Sequence, residues 1–225
     1  MRRLALILAL LLLGTVSLPA QVNSPYRYGH RWNIALFGGP LVFGSDCSGE
    51  FSSHFMTESL FSPLGGVALG YHFTDGHGMR LFANYSNKTG LLPPEHGFYP
   101  YNFRSVQVFG DYLLNMEGLG ENYTAFVPQM YVGLGAGYTF GFRTSWMDEE
   151  LDALLSQRNL VPAFHLGTVL EYGFRNGLGL FFDLGGAFYL DTYNGQAFMG
   201  FPFDFEIDAV FGLIYRFKSP RLGLR

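Results

Sequence analysis

The stretch that decides the fold is FDFEIDAVFGLIYRF, residues 203–217, near the C-terminus. Successive side chains of a β-strand point to opposite faces, so one face of this stretch would be almost wholly apolar. The other face would carry Asp204, Glu206, Asp208 and Arg216. A soluble protein would bury the apolar face and leave the carboxylates in water. A transmembrane β-barrel does the reverse, with apolar side chains in lipid and polar ones inside, and the rest of the chain decides between the two.

The N-terminus has the composition of a secretory signal. Arg2 and Arg3 form a basic start, residues 4–13 are an apolar run, and Pro19-Ala20 is a plausible cleavage site. The apolar run is too short for a comfortable membrane-spanning helix. No cysteine stands directly after this run, which disfavours a lipid anchor. We therefore predict that the chain is exported.

Composition narrows the class of protein further. Aromatic residues make up 18% of the chain and charged residues only 14%, against about 25% charged in average soluble domains. Beyond the signal, no apolar run approaches the length of a membrane-spanning helix. Loss of Arg2 and Arg3 with the signal would take the net charge from −4 to −6, which argues against a nucleic-acid partner. Cys47 is the only cysteine, so no intrachain disulfide can form.

Segments of alternating polarity predict eight strands, over residues 31–39, 64–73, 79–87, 102–115, 124–140, 161–174, 178–191 and 202–217. Connections of two lengths alternate between them. The short ones are 74–78, 116–123 and 175–177, and the long ones are 40–63, 88–101, 141–160 and 192–201. An even strand number with short turns at one rim and long loops at the other is typical of bacterial outer-membrane barrels. Both termini would then lie at the short-turn, periplasmic rim.

Aromatic residues are expected to collect at the two membrane interfaces. One set falls at the predicted periplasmic ends of the strands: Trp32, Phe73, Tyr112, Phe126, Phe174, Tyr215 and Phe217. A second set falls near the opposite ends: Tyr85, Tyr138, Phe140, Phe188, Phe203 and Phe205. Two such sets with Leu and Val between them are the pattern of aromatic girdles around a lipid-facing band.

With its signal, its eight amphipathic strands and a last strand ending Tyr215-Arg216-Phe217, the chain resembles the small eight-stranded outer-membrane proteins of Gram-negative bacteria. The looser likeness is to the OmpA/OmpX-like barrels and to the Bacteroidetes outer membrane protein beta-barrel group. The resemblance implies an all-β, antiparallel, up-and-down barrel in the outer membrane, in contact with its lipid and inserted by the barrel-assembly machinery. The expected organisation is a signal over 1–20, a periplasmic segment over 21–30, the barrel over 31–217 and a short tail over 218–225.

The last two strands would place a group of carboxylates inside the barrel, and we take it as the candidate ligand-binding site: Asp183, Asp191, Asp204, Glu206 and Asp208. Neighbours on one face of a strand, about 6.8 Å apart, repel by roughly 2.4 kcal/mol at an effective dielectric near 20. The group must therefore find cations, take up protons or lie in water, with candidate partners Arg80, Arg175, Arg216, His72 and His165. The favoured interpretation is a network of ion pairs that fills the barrel. The alternative is a site for a cation or a basic ligand.

Three glycines on one predicted strand, Gly133, Gly135 and Gly137, leave part of the inner wall without side chains. We expect them to make room for bulky residues such as Phe181 or Tyr131, because eight strands enclose only enough space for side chains. The alternative is a cavity or a narrow pore.

In the loops, residues 145–155 predict a short capped helix. Apolar residues in 88–101 and 192–201 could form a surface for adhesion or for a ligand.

No catalytic group, metal site or cofactor is predicted. His165 with Asp204 or Asp191 is the nearest approach to a catalytic pair, and no spacing supports it beyond a similar height in the barrel. The expected function is therefore structural, adhesive or assembly-related, carried by the long loops, with an extracellular or envelope protein as a possible partner. The alternatives are a lipid-modifying enzyme of the outer membrane, a narrow channel or hydrophobic-solute carrier, and a soluble carrier barrel.

Overall fold

The computed structural model describes residues 32–44, 62–74, 76–91, 100–116, 126–144, 158–174, 177–190, 192–193 and 203–217. The described residues form eight strands: β1 (Trp32–Gly44), β2 (Ser62–His72), β3 (His77–Leu91), β4 (Pro100–Asn115), β5 (Phe126–Thr144), β6 (Arg158–Gly173), β7 (Leu178–Leu190) and β8 (Phe203–Arg216). Each strand pairs antiparallel with its neighbours in sequence, and β1 pairs with β8. The all-β, up-and-down, eight-stranded barrel predicted from the sequence is confirmed.

Residues 203–217 contain the strand that closes the barrel. Along the β1–β8 seam, Asn33 is the partner of Arg216 and Gly44 is the partner of Phe205. The backbone N–H of Phe217 also donates to the Trp32 carbonyl at 2.9 Å. A closed sheet has no free edge, so these strands satisfy their backbone groups within the barrel.

The two rims of the barrel differ in their connections. We call one the turn rim, where 73–76, 116–125 and 174–177 link the strands, and the other the loop rim, where 45–61, 92–99, 145–157 and 191–202 link them. At the loop rim several strands run beyond their predicted ends, to Gly44, Leu91 and Thr144. The alternation of lengths is therefore less regular than predicted, since 92–99 is shorter than 116–125 at the opposite rim.

Burial alternates along every strand, and the apolar face points outwards. In β8 the residues Ile207, Phe211 and Leu213 are more than half exposed, whereas Asp204 and Glu206 are nearly inaccessible. Leu134 and Leu160 are 71% and 73% exposed. This inside-out arrangement is that of a transmembrane barrel, whose exterior meets lipid. In the described part of the chain, no helix is long and apolar enough to cross a membrane.

Outward-facing aromatic side chains gather at both ends of the apolar band. At the turn rim, Trp32 packs on Tyr71 and Tyr215 packs on Phe217, with ring centroids 4.7 and 5.2 Å apart. Towards the loop rim, Tyr85, Phe188 and Phe203 are exposed, and Tyr138 stacks on Phe140. The members of the two predicted girdles all face outwards.

Four predicted features lie outside the described residues: the signal over 1–20, the segment over 21–30, the loop helix over 145–155 and the tail over 218–225.

Candidate functional site

The lumen holds every carboxylate of the described residues: Asp111, Glu171, Asp183, Asp204, Glu206 and Asp208. Three inward cations accompany them, Arg80, Lys88 and Arg216. A carboxylate taken out of water is strongly destabilising unless it is paired and hydrogen-bonded. The sequence predicted one acidic group along two strands. The structure places Asp183 and Glu206 of that group in separate layers, each with its own cation.

A central network lies around Arg80. Its Nη1 is 2.7 Å from Asp183 Oδ2, and its Nε donates to Asp111 Oδ2 at 2.9 Å. His165 Nδ1 lies 2.8 Å from the other oxygen of Asp111. The Tyr131 hydroxyl donates to Asp183 Oδ1 at 2.9 Å, and its ring lies under the guanidinium, 4.3 Å from Cζ. One cation therefore holds carboxylates from β4 and β7 across the lumen.

The position of His165 corrects a prediction. The sequence suggested Asp204 or Asp191 as its partner, but the structure pairs it with Asp111. The ring is buried, and it stacks on Phe109 with centroids 4.2 Å apart. It is enclosed within the barrel, away from the lipid-facing surface. Asp191 lies outside the described residues.

An upper network, nearer the loop rim, surrounds Glu206. One of its carboxylate oxygens pairs with Lys88 and accepts from Gln107 Nε2 at 2.9 Å. The other accepts from the Tyr189 hydroxyl at 2.8 Å. The Tyr193 hydroxyl accepts from Lys88 and from Gln107, both at 2.7 Å. This carboxylate is thus enclosed by one cation and two further donors.

A lower pair lies near the turn rim, where Arg216 forms an ion pair with Glu171. Gln129 Nε2 also donates to Glu171, at 2.9 Å. Arg216 was expected as a partner for the acids of the last two strands, but its ion pair runs across the lumen to β6. Arg175, also expected as a partner, lies outside the described residues.

Asp208 and Asp204 form none of these ion pairs. Asp208 is buried between the central and upper networks, and among the described residues its Oδ1 has no hydrogen-bond partner. Asp204 is buried beyond Glu206, nearer the loop rim, opposite Tyr189 in the β7–β8 register. Of the predicted ligand-binding residues, Asp183 and Glu206 are thus occupied by Arg80 and Lys88.

An aromatic cap closes the lumen above the upper network. Phe103 packs on Phe43, Phe142 and Tyr101, with centroids 5.4, 5.2 and 5.9 Å apart. It also meets the edge of Tyr193 at 6.2 Å. Tyr101, Phe103 and Tyr193 are fully buried. A layer of packed rings therefore lies across the barrel below the loop rim.

The inner-wall glycines make room for bulky residues, as predicted, but for different ones. A Cβ at Gly133 would meet Asp111, one at Gly135 would meet Phe109, and one at Gly137 would meet Tyr193. The residues named from the sequence lie against other glycines. Tyr131 packs over Gly167 and Gly185, and Phe181 over Gly212. Small residues opposite large ones fill the barrel, as the tight interior of eight strands requires.

Three charged residues of the lumen were not among the candidates from the sequence: Lys88, Asp111 and Glu171. Lys88 follows the predicted end of its strand at 87, although it continues the inward series through Arg80. Asp111 lay inside a predicted strand, and Arg80 is its partner in the β3–β4 register. Extending the predicted strand by one residue would have placed Lys88 in the lumen. A register for β3 and β4 would have paired Asp111 with Arg80.

A cavity of about 30 Å³ adjoins the central network and the lower pair, and its walls include His72, Gln129 and Glu171. This volume is large enough for a water molecule. Within the described residues, no group of three or more His, Cys, Asp or Glu side chains is arranged to hold a metal ion.

Fold and lumen together define the chain as a small transmembrane β-barrel with a filled interior. No protein-family model matches the sequence, and no curated protein matches it significantly. Among solved structures, it is similar to a major outer membrane protein from Thermus thermophilus, with 15% identity, 83% of this chain and 98% of the other covered, and a TM-score of 0.50. It also matches the outer membrane protein OprG from Pseudomonas aeruginosa, with 18% identity, coverage of 85% and 99%, and a TM-score of 0.47. At these identities the likeness is one of fold.

Proposed function

We propose that the protein is a closed barrel of the bacterial outer membrane that anchors and presents its loop-rim segments, with a structural, adhesive or assembly role. The observation that carries this proposal is the filled lumen. Three layers of ion pairs and hydrogen bonds lie across it, and the aromatic cap lies above them. With the described interior occupied, we assign contact with a partner to the connections at the loop rim.

The proposed orientation places the loop rim outside the cell and the turn rim in the periplasm. It rests on the general layout of such barrels, which have short periplasmic turns and longer extracellular loops. The termini of the barrel, near Trp32 and Phe217, lie together at the turn rim. Phe217 and Tyr215 end the last strand as outward aromatic residues, in keeping with delivery by the barrel-assembly machinery.

The luminal carboxylates serve in this proposal as part of the packing. Asp183 and Glu206 each contact a buried cation and hydrogen-bond donors, so a ligand would have to displace partners already in place. The buried His165–Asp111 pair is likewise part of the interior. An acyl chain on the outer surface has no direct route to it. A lipid-modifying activity therefore receives no support from this pair.

Conductance in planar bilayers tests the proposal most simply. The purified full chain should insert without steady single-channel currents. Phe103→Ala and Tyr193→Ala, which thin the aromatic cap, should still not conduct, because the ion-pair layers remain below it. Steady currents from the unaltered protein would contradict the proposal and favour a channel. Release of acyl chains from phospholipid or lipopolysaccharide by the same preparation would favour an enzyme.

A further inference from the structure

Outward-facing charges of the described residues are confined to one patch. The described carboxylates all point inwards, and three cations do so too. The remaining charged side chains are Arg104, Arg143 and Arg158, and all three are exposed on the outer surface. They lie on the adjacent strands β4, β5 and β6, at the loop rim. We call them the arginine patch.

Strand register places the patch directly above the apolar band. Arg104, Phe140 and Arg158 are Cα partners in one row across the three strands. Strands in a sheet are about 4.8 Å apart, so the two arginines flank Phe140 at roughly 10 Å. At this spacing both side chains could reach a single phosphate group placed between them. The patch therefore begins where the apolar surface ends.

The next outward row on the same three strands is entirely apolar. It consists of Val106, Tyr138 and Leu160, again as Cα partners. Leu160 is 73% exposed and Val106 is 40% exposed. The surface thus changes from apolar to charged between two adjacent rows. A lipid shows the same change between its acyl chains and its headgroup.

A β-bulge turns the third arginine outwards. The register of β4 and β5 shifts between Asn102 and Arg104, so that Arg104 faces Phe140 while Asn102 faces Arg143. The extra residue on β5 includes Gly141, whose φ of 65° lies in the left-handed region that favours glycine. If β5 continued in regular alternation through Gly141, Arg143 would share the inward parity of Gln129 and point into the lumen. The bulge therefore supplies a third cation beside Arg104, at the diagonal spacing of about 7–8 Å.

Other strands carry no charge at this rim among their described outward residues. The corresponding positions are Pro40 and Val42 in β1, Pro63 in β2, Asn87 and Thr89 in β3, Leu190 in β7 and Phe203 in β8. None of the arginine patch forms an ion pair with a carboxylate of the described residues. A general interfacial belt would be spread around the barrel, whereas this charge is local.

We propose that the arginine patch binds the phosphate group of a membrane lipid whose acyl chains lie on Val106, Tyr138 and Leu160. Arginine presents a planar set of donors that matches a phosphate with two parallel hydrogen bonds, and such charge-assisted bonds are among the strongest in proteins. The apolar row below supplies the surface for the chains. This inference rests on the proposed membrane location and adds one lipid-binding site on the outer surface of the barrel.

Lipid titration by native mass spectrometry in a non-ionic detergent tests the site. The probes are lipid A with its two phosphates, dephosphorylated lipid A, phosphatidylglycerol and inorganic phosphate. The full chain should bind the phosphorylated lipids and discriminate against dephosphorylated lipid A. The triple variant R104Q/R143Q/R158Q should bind phosphorylated lipid A at least tenfold more weakly. The triple lysine variant should lose less, because it keeps the charge but not the planar donor set.

The matched control is N87Q/N102Q, which alters the polar residues of the same rim and should leave the affinity unchanged. Heat-modifiable gel migration shows that each variant is a folded barrel, so a loss of lipid binding is separable from a failure of the membrane location. Equal binding of dephosphorylated lipid A, or unchanged affinity in the triple glutamine variant, would overturn the proposal. Binding of inorganic phosphate at the same concentrations would assign the patch to free phosphate instead.

Discussion

Replacing Arg80 by methionine should destabilise the barrel, because it leaves two buried carboxylates without their cation. The substitution keeps an unbranched apolar stem and deletes the guanidinium, whose nitrogens lie 2.7–2.9 Å from carboxylate oxygens of Asp111 and Asp183. Loss of one partner from a buried ion pair costs about 3–5 kcal/mol. Here two carboxylates lose their cation together, but each keeps a hydrogen bond, to His165 and to Tyr131. We therefore expect a loss of about 4 kcal/mol, near the middle of that range.

Equilibrium unfolding in guanidinium chloride, with the protein refolded in zwitterionic micelles and followed by heat-modifiable gel migration, measures this loss. The matched control is Arg158→Met, the same chemical change on the outer surface, which should alter stability by less than about 0.5 kcal/mol. Adding Asp111→Asn and Asp183→Asn to Arg80→Met should restore much of the loss, because neutral amides no longer need the cation. A change below about 1 kcal/mol for Arg80→Met would refute the reasoning, since it would mean that water already screens the network.

Three further experiments test other parts of the lumen and the exterior. Gly135→Val should cost about 1–3 kcal/mol of unfolding free energy, because its side chain would clash with the Val108 carbonyl oxygen and with Phe109. Gly110→Ala, on the outer surface, should be nearly neutral, and equal effects would contradict the packing described for the inner wall. Glu206→Gln should lower stability because it breaks the pair with Lys88. Asp208→Asn should be neutral or stabilising because its Oδ1 accepts no hydrogen bond from the described part of the chain, and the opposite order in thermal melting would favour a ligand role for these acids. Leu134→Arg, near the middle of the lipid-facing band, should lower stability in bilayers by about 2–4 kcal/mol, and no loss on vesicle-based unfolding would be incompatible with a lipid contact there.

Much of the barrel follows from local pattern alone. The inward or outward direction of a side chain depends only on its parity along a strand, so the faces of residues 203–217 could be predicted without any partner. Strand number and order follow in the same way, because consecutive strands pair when their connections are short. Strand ends at the loop rim are harder to predict. Gly39-Pro40 and Asn87 resemble turn signals, yet pairing continues past them to Gly44 and Leu91.

The contacts inside the lumen depend on register between strands far apart in sequence. Arg80 and Asp183 are separated by 103 residues, and Lys88 and Glu206 by 118. Which cation meets which carboxylate is set by the tilt and stagger of the closed sheet, and alternation along one strand carries no record of it. The bulge at Gly141 is a second such feature. It reverses the parity of Phe142 and Arg143, so simple alternation predicts the wrong face for both.

The central claim is that the aromatic and aliphatic face of 203–217 meets lipid while its acidic face lies inside a packed barrel. Site-directed spin labelling tests it most directly, with single cysteines introduced at Ile207, Phe211 and Leu213 in a background lacking Cys47, the only native cysteine. In reconstituted bilayers the three labels should be highly accessible to oxygen, which concentrates in lipid, and poorly accessible to a water-soluble nickel complex, with labels at Phe203 and Phe217 shifted towards water. Greater accessibility to the nickel complex at Phe211 and Leu213 than at Phe203 and Phe217 would contradict the account.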